Sequence, residues 1–283
     1  MKTDAGNADQ IAMWNGPSGD HWVKSQERQD QVLAPVSTAL FARAAAQPGE
    51  HVMDIGCGCG GTSIDLAHSV GPSGRVLGLD VSEAMLMRAR ERTPRDAPIE
   101  FVLADATVHP FAPATYDLLV SRFGVMFFAD PVASFANMRR GLRSGGRIAF
   151  ACWRAARDNP WLMTPLQAVF KHVPRPAPPA PDEPGQFAFA DTARVRRILE
   201  GAGFASIDIV PCNLSFDMAR GGGLDAAIQA ATDFGPSHRL LKDATPAVKD
   251  AVRSSVREAL APLVVGNSVP LAAGIWIVTA ANP

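Results

Sequence analysis

Apolar positions along this chain keep two rhythms that alternate from residue 51 to residue 153. Short runs rich in branched residues, His51-Val52-Met53-Asp54-Ile55, Arg75 to Asp80, Ile99 to Leu103, Tyr116 to Ser121 and Arg147 to Trp153, predict five strands. Between them apolar residues recur at helical spacing: Thr62 to Val70, a helix capped by Ser82 that runs to about Arg92 with Met85, Leu86 and Ala89 on one face, and a helix from Asp130-Pro131 to about Leu142. Gly71-Pro72-Ser73-Gly74 makes a turn, and Gly145-Gly146 is read as the end of the third helical unit. Strands separated by helices predict a parallel sheet covered on both faces.

The flanks follow looser patterns. Residues 10 to 47 read as helical, with Trp14, Trp22, Leu33, Leu40 and Phe41 on apolar faces, until Pro48-Gly49 stops them. Six prolines between Pro174 and Pro184 predict a stiff, extended connection. Asp191 should cap a helix that closes at Gly201-Ala202-Gly203, with a strand from Ser206 to Pro211 after it. Thr245-Pro246 opens another helix, with Val248, Val252, Val256 and Leu260 on one stripe, and Gly274 to Ala280 reads as the last strand. The stretches 154–190 and 213–268 are too long for plain connections, so part of them is expected to form a cap. The whole is read as a single domain, residues 1–283: a helical lid over 1–47, a ligand-binding core over 48–153, and cap segments with the last two strands over 154–283.

Composition narrows the classes. The chain has 283 residues, 47% of them hydrophobic and 19% charged, which excludes a disordered chain. A net charge of −1 leaves no basic footprint for nucleic acid and no polybasic membrane anchor. Residues 259–283 carry no charge, but Pro262, Gly266-Asn267-Ser268 and Pro270 cut them into a helix end, a turn and a buried strand, so no membrane span is expected. Four cysteines, Cys57, Cys59, Cys152 and Cys212, fit a reducing cytoplasm, and the mixed charges of residues 1–9 do not make a signal peptide. Cys57 and Cys59 lack the further clustered ligands a zinc site needs, so no metal is expected.

Chemistry concentrates where the first strand meets Gly56-Cys57-Gly58-Cys59-Gly60-Gly61, a turn that frees backbone amides at a helix start. Gly56, Gly58 and Gly61 also satisfy the dinucleotide fingerprint, with Asp80 about where a ribose ligand belongs, so a nicotinamide-dependent oxidoreductase enters as a rival. Asp54 argues against it: a carboxylate at the mouth of the turn suits an ammonium group and repels a pyrophosphate. With Asp54, Asp80 at the end of the second strand and Asp105 just past the third, acids stand at three successive strand ends. This series resembles the class I S-adenosylmethionine-dependent methyltransferases, as do Tyr116 to Phe128 and Leu142-Arg143-Ser144-Gly145-Gly146-Arg147. The likeness is tight over residues 50–153, and within the class it is similar to the small-molecule branch that includes ubiquinone and menaquinone biosynthesis C-methyltransferases.

The resemblance implies a Rossmann-like, doubly wound α/β fold with a seven-stranded sheet whose last strand is antiparallel. It implies S-adenosylmethionine as cofactor and a small, apolar or aromatic acceptor. By position, Gly56, Gly58 and Gly60 would line the methionine part, Asp54 would place its ammonium group, and Asp80 would take the ribose, with Val81 and Met85 near the adenine. Asp105 and Ala106 would read the adenine edge, and Ser121 and Arg122 would lie under the methionine near the sulfonium. Trp14, Trp22 and Arg28 are candidates for a lid, and Phe123, Phe127 and Phe128 for the acceptor pocket. His21 and His109 are the two candidates for a general base. Each has a plainer role open to it: Asp54 and Asp80 as caps of the following turns, Asp105 as a loop acid, the tryptophans and phenylalanines as core. Ser-Arg-Phe-Gly after the fourth strand departs from the Asn-Pro-Pro-Tyr pattern that holds a nucleic-acid base. A non-catalytic cofactor-binding regulator stays open, and a homodimer is allowed.

Overall fold

The computed structural model describes every residue except Pro179, Pro181 and Phe234. Three helices open the chain: α1 (Ala8–Trp14), α2 (Pro17–Lys24) and α3 (Gln26–Ala44). The core alternates β1 (His51–Ile55), α4 (Gly61–Val70), β2 (Arg75–Asp80), α5 (Glu83–Arg92), β3 (Ile99–Leu103), β4 (Tyr116–Arg122), α6 (Pro131–Gly141) and β5 (Leu142–Trp153). Then follow α7 (Pro160–Val169), α8 (Thr192–Gly201), β6 (Ala205–Asp217), α9 (Gly223–Asp233), α10 (Gly235–Leu241), α11 (Pro246–Leu260) and β7 (Pro270–Ala281).

One seven-stranded sheet has the order β3-β2-β1-β4-β5-β7-β6. β1 pairs in parallel with β2 and β4, β2 with β3, and β4 with β5. β7 runs antiparallel: the Gly145 N–H donates to the Asn282 carbonyl and the Asn282 N–H to that of Gly146, while Arg154 meets Gly274. The expected Rossmann-like seven-stranded fold is therefore present. Val52 to Ile55 and Val76 to Asp80 are buried without alternation, as strands covered on both faces must be.

Contacts divide the chain into two compact units, Met1–Trp153 with Asp182–Cys212 and Trp276–Pro283, and Arg154–Pro181 with Asn213–Ile275. In the first, α4 packs on β1 to β3, α5 on β2 and β3, α3 on β4 and β5, and α6 on β5 and α8. Helix starts follow their caps: Ser82, Asp130 and Asp191 accept from Met85, Ala133 and Ala193 N–H groups, each cap worth about 1 kcal/mol. Arg147 closes the far end of α3 by donating to the carbonyls of Ala44 and Ala45 while paired with Glu50. In the second unit α11 packs on α7 and α9, with Val252, Val256 and Leu260 buried. Fully buried Asn159 donates to Arg154, Ala155 and Gly274 carbonyls and accepts from the Gly274 N–H and the Trp161 indole.

Three expectations shift. Gly145-Gly146 do not end the preceding helix unit; they lie inside β5, where pairing with Asn282 carries the strand through them. β6 and β7 run past the expected Pro211 and begin before Gly274. Part of the proline-rich stretch, Pro179 and Pro181, lies outside the described residues, and 174–178 have neither helix nor strand. No helix among the described residues is long and apolar enough to cross a membrane.

Candidate functional site

The order of the sheet reverses between β1 and β4, and a crevice opens at the carboxyl ends of strands at such a point. The predicted acids all stand there. Asp54, in β1, is fully buried; one oxygen, Oδ2, accepts from the Thr62 and Ser63 hydroxyls at 2.6 Å each, and the other, Oδ1, has no hydrogen-bond partner. Burial pushes its pKa up to about 6, against the pull of those hydroxyls and of Arg122.

Asp80, at the end of β2, is buried and accepts from the Gly58 N–H at 2.8 Å and the Ser82 N–H at 2.9 Å. Burial raises its pKa, and these amides oppose the rise. Its carboxylate therefore ties the glycine turn to the loop after β2. Val81, half-buried, and buried Met85 follow. Asp105, past β3, is buried and accepts four hydrogen bonds: one from the Asp4 N–H, one from the Thr107 N–H, and one on each oxygen from the Asn7 amide. Buried Ala106 presents its carbonyl to Asn137.

The glycines of the turn have separate tasks. A Cβ on Gly56 would sit 2.7 Å from the Gly124 Cα, and one on Gly124 would sit 2.6 Å from the Ile55 carbonyl oxygen, so the β1 and β4 loops touch backbone to backbone. Ser121 stitches the same point, donating to the Ile55 carbonyl and accepting from the Gly124 N–H. At Gly60 a Cβ would press on Ala89 and Phe101, which is a packing demand. Two positions face the expected lid: at Gly58 the nearest neighbours are the Met85 sulfur at 3.6 Å and the Trp22 indole nitrogen at 3.9 Å, and at Gly61 a Cβ would meet the Asp30 carboxylate at 2.8 Å.

Arg122 is turned to α3, donating to Ser37 at 2.8 Å and lying 3.5 Å from Asp30. Asp30 also receives Arg92 and Gln26 at 2.6 Å each. The sequence reading missed Asp30, whose two arginine partners, Arg92 and Arg122, lie in distant parts of the chain.

The aromatic candidates separate into three contacts. Trp14 meets Trp22 and Phe127 edge-on, with centroids 6.1 and 5.3 Å away. Phe123 stacks on Trp153 at 4.1 Å and 6°, and its backbone is left-handed, φ 67°, an uncommon state for a bulky side chain. Phe128 packs on Phe135, which belongs to the buried cluster of Phe150, Phe189 and Phe204. Half-buried His109 touches Phe111, and burial lowers its pKa. His21 and Arg28 are half-buried on α2 and α3. Buried Cys57 and Cys59 have raised pKa values, and no group of three metal-binding side chains occurs among the described residues.

A Rossmann-like sheet of this order, with acids at the ends of β1 to β3 beside a glycine turn, defines the class of S-adenosylmethionine-dependent methyltransferases. Residues 52–146 match a family model described as a methyltransferase domain. The chain is 33% identical over 187 residues to aklanonic acid methyltransferase DauC of Streptomyces sp. (strain C5), covering 62% of this chain and 84% of that protein. It is 36% identical over 102 residues to demethylmenaquinone methyltransferase of Lactococcus lactis, 35% of this chain and 40% of the relative. The chain spans 30 to 61% of the length of several further curated relatives. Among solved structures, phosphoethanolamine N-methyltransferase 2 of Haemonchus contortus shares the fold with a TM-score of 0.58 at 16% identity, over 96% of this chain and 59% of that one. The chain belongs to the class I S-adenosylmethionine-dependent methyltransferases, whose methyl donor is S-adenosylmethionine.

Proposed function

We propose that this protein transfers a methyl group from S-adenosylmethionine to a small apolar or aromatic acceptor. The observation that carries the reading is Asp54. A buried carboxylate with one oxygen saturated and the other unpartnered is costly on its own, and an ammonium group supplied by a ligand would complete it. The donor set fits the cofactor: Asp54 for the ammonium, Gly58 for close approach, Asp80 for ribose hydroxyls, Val81 and Met85 for the adenine face.

When bound, S-adenosylmethionine supplies an electrophilic methyl on a positively charged sulfur. The work left to this chain is alignment and exclusion of water, which together are worth on the order of 7–11 kcal/mol. Trp14, Trp22 and Phe127 form an apolar wall suited to a dry site. With its pKa lowered, His109 is neutral at pH 7 and able to take a proton from a hydroxyl acceptor; His21, on α2, is the other candidate. Aromatic side chains at the strand ends, together with relatives named for aklanonic acid and demethylmenaquinone, support the choice of acceptor class. The four free cysteines suit a reducing compartment, and the reading places the protein in the cytoplasm.

Two measurements test this. Titration calorimetry should show S-adenosylhomocysteine binding without added metal, and no heat with nicotinamide dinucleotide. A product assay over phenols, quinones, thiols and amines should then find S-adenosylhomocysteine release with an aromatic acceptor. Cofactor binding with no release across the panel would replace the enzyme by a cofactor-binding regulator.

A further inference from the structure

The open oxygen of Asp54 has a second suitor, and it belongs to the chain itself. Arg122 ends β4, and its side chain is 12% exposed. Asp54 of β1 stands level with Val120 of β4. Side chains two residues apart on a strand share a face, so Arg122 is the diagonal neighbour of Asp54 on the side where α4 packs on β1 and α3 on β4. Diagonal neighbours are within reach of a long side chain. The charge is already felt there: burial holds the Asp54 pKa up at about 6, and Arg122 pulls against it. Yet the guanidinium is turned the other way, donating to the Ser37 hydroxyl at 2.8 Å and lying 3.5 Å from Asp30 Oδ1, both on α3. Asp54 Oδ1 is left without a hydrogen-bond partner.

Asp30 is fixed more firmly than the arginine it holds. Its Oδ2 accepts from Gln26 on α3 and from Arg92 on α5, at 2.6 Å each. Arg92 also donates to the Cys59 carbonyl of the glycine turn at 3.1 Å. With Oδ2 filled, Oδ1 is the oxygen turned toward Arg122. Asp65 on α4 adds a negative charge to the same surroundings; burial raises its pKa, and Arg122 opposes the rise. The other charges sensed by Asp54 and Asp65 are those of Asp80, His68 and Arg92. We propose that Asp30 is a positioning residue: it holds Arg122 on α3 and so keeps the open oxygen of Asp54 for the ammonium group of a ligand. Without it, the arginine would swing to Asp54 and close the site with the chain's own cation. The inference rests on the cofactor reading above and adds to it the reason Arg122 stands aside. A guanidinium on Asp54 would have to give up a charge-assisted hydrogen bond before an ammonium could bind, which sets the size of the effect.

The test is titration calorimetry of S-adenosylhomocysteine on the whole chain between pH 5 and 8, with melting temperatures alongside. Asp30→Asn should weaken binding by about tenfold or more at pH 8. Arg122→Gln should tighten it, since a competing cation is gone, and the double variant should bind like Arg122→Gln. The pH profile should move with the arginine. In the unaltered protein affinity should fall below about pH 6; in Asp30→Asn the fall should begin at lower pH, and in both proteins carrying Arg122→Gln at higher pH. 5′-Methylthioadenosine, which has no ammonium group, should bind the unaltered and Asp30→Asn proteins alike. Ser37→Ala removes the other tie of Arg122 without touching Arg92. It should weaken S-adenosylhomocysteine by a smaller factor, again restored by Arg122→Gln, and it keeps the test decisive if Asp30→Asn folds poorly. Unchanged affinity in Asp30→Asn and Ser37→Ala, a loss that Arg122→Gln does not restore, or an equal loss of 5′-methylthioadenosine overturns the role given to Asp30. Failure of the unaltered protein to bind S-adenosylhomocysteine at all overturns the cofactor reading beneath it.

Discussion

Asp54→Asn should make this protein more stable and less able to bind its cofactor. The Asp54 carboxyl titrates at about 6 in the fold against an ordinary value of 3.8, because burial penalises its charge more than two hydroxyls relieve it. The folded state therefore holds the proton more tightly than the unfolded chain. The stability this confers is full below pH 4 and is lost as pH rises through about 6. At pH 8 the ionised carboxylate weighs against the fold by about 3 kcal/mol. An asparagine of the same shape removes that burden and can still meet the Thr62 and Ser63 hydroxyls. At ~2–4 °C per kcal/mol for a chain of this size, melting at pH 8 should rise by several degrees, with little change near pH 4. Affinity moves the other way. A neutral amide does not balance an ammonium, so S-adenosylhomocysteine should bind about tenfold more weakly or worse. In the unaltered protein affinity should fall as pH drops below about 6, with proton release on binding visible by calorimetry in buffers of different ionisation enthalpy. Asp54→Asn should lose both effects. A variant that melts lower at pH 8 and binds as before would refute the reasoning.

Asp80→Ala should weaken S-adenosylhomocysteine by ~10-fold or more and also lower the melting temperature, because the Gly58 and Ser82 amides lose their acceptor; Asp80→Asn should lose less of both. Unchanged affinity in Asp80→Ala by calorimetry would remove it from the site. Phe123→Gly and Phe123→Ala both delete the stack on Trp153, but only glycine relieves the left-handed backbone, so the glycine variant should be the more stable by about 1 kcal/mol in denaturant melts, and the reverse order would show that φ 67° carries no strain. Burial raises the pKa of all four thiols, but Cys57, Cys59 and Cys152 are buried and Cys212 is only half-buried, so iodoacetamide at pH 8 should label Cys212 first, read as a single adduct in intact mass.

Where local pattern and fold agree, the sequence was readable. β3 runs from Ile99 to Leu103 as expected, and the helices after Ser82, Asp130 and Asp191 start at their caps. The errors lie where distant pairing overrides local signals. Asn282 bonds backbone to backbone with Gly145 and Gly146, and its side chain donates to the Leu142 and Arg143 carbonyls, so two glycines that read as a stop became strand. The helices α7, α9 and α10 were subsumed in an undivided cap region, since residues such as Pro165 and Gly235 obscure the helical spacing. At the site, the acids announce themselves by standing at strand ends. Asn7 and Asp30 do not, because an Asn before a short helix and an Asp in a polar helix are ordinary locally, and their partners lie 98 and 62 residues away.

The strand order has a consequence for how the chain is made. β7 follows the other six strands of the sheet in the chain, yet it fills the slot between β5 and β6. When β6 leaves the ribosome it has no neighbour in the sheet, and β5 shows an open side, until residues 270–281 follow. At ~5–20 residues per second that wait lasts roughly 3–10 s. For that time two strands offer unpaired backbone to any other nascent chain. β6 carries Asp208, Pro211, Asn213 and Asp217 along its length, residues that blunt pairing with strangers, and it stays at the margin of the finished sheet, where proline is tolerated. β5 has no such protection over Ile148 to Trp153, all buried once β7 arrives, so a ribosome stalled short of residue 270 leaves an adhesive half-built sheet for chaperones to shield.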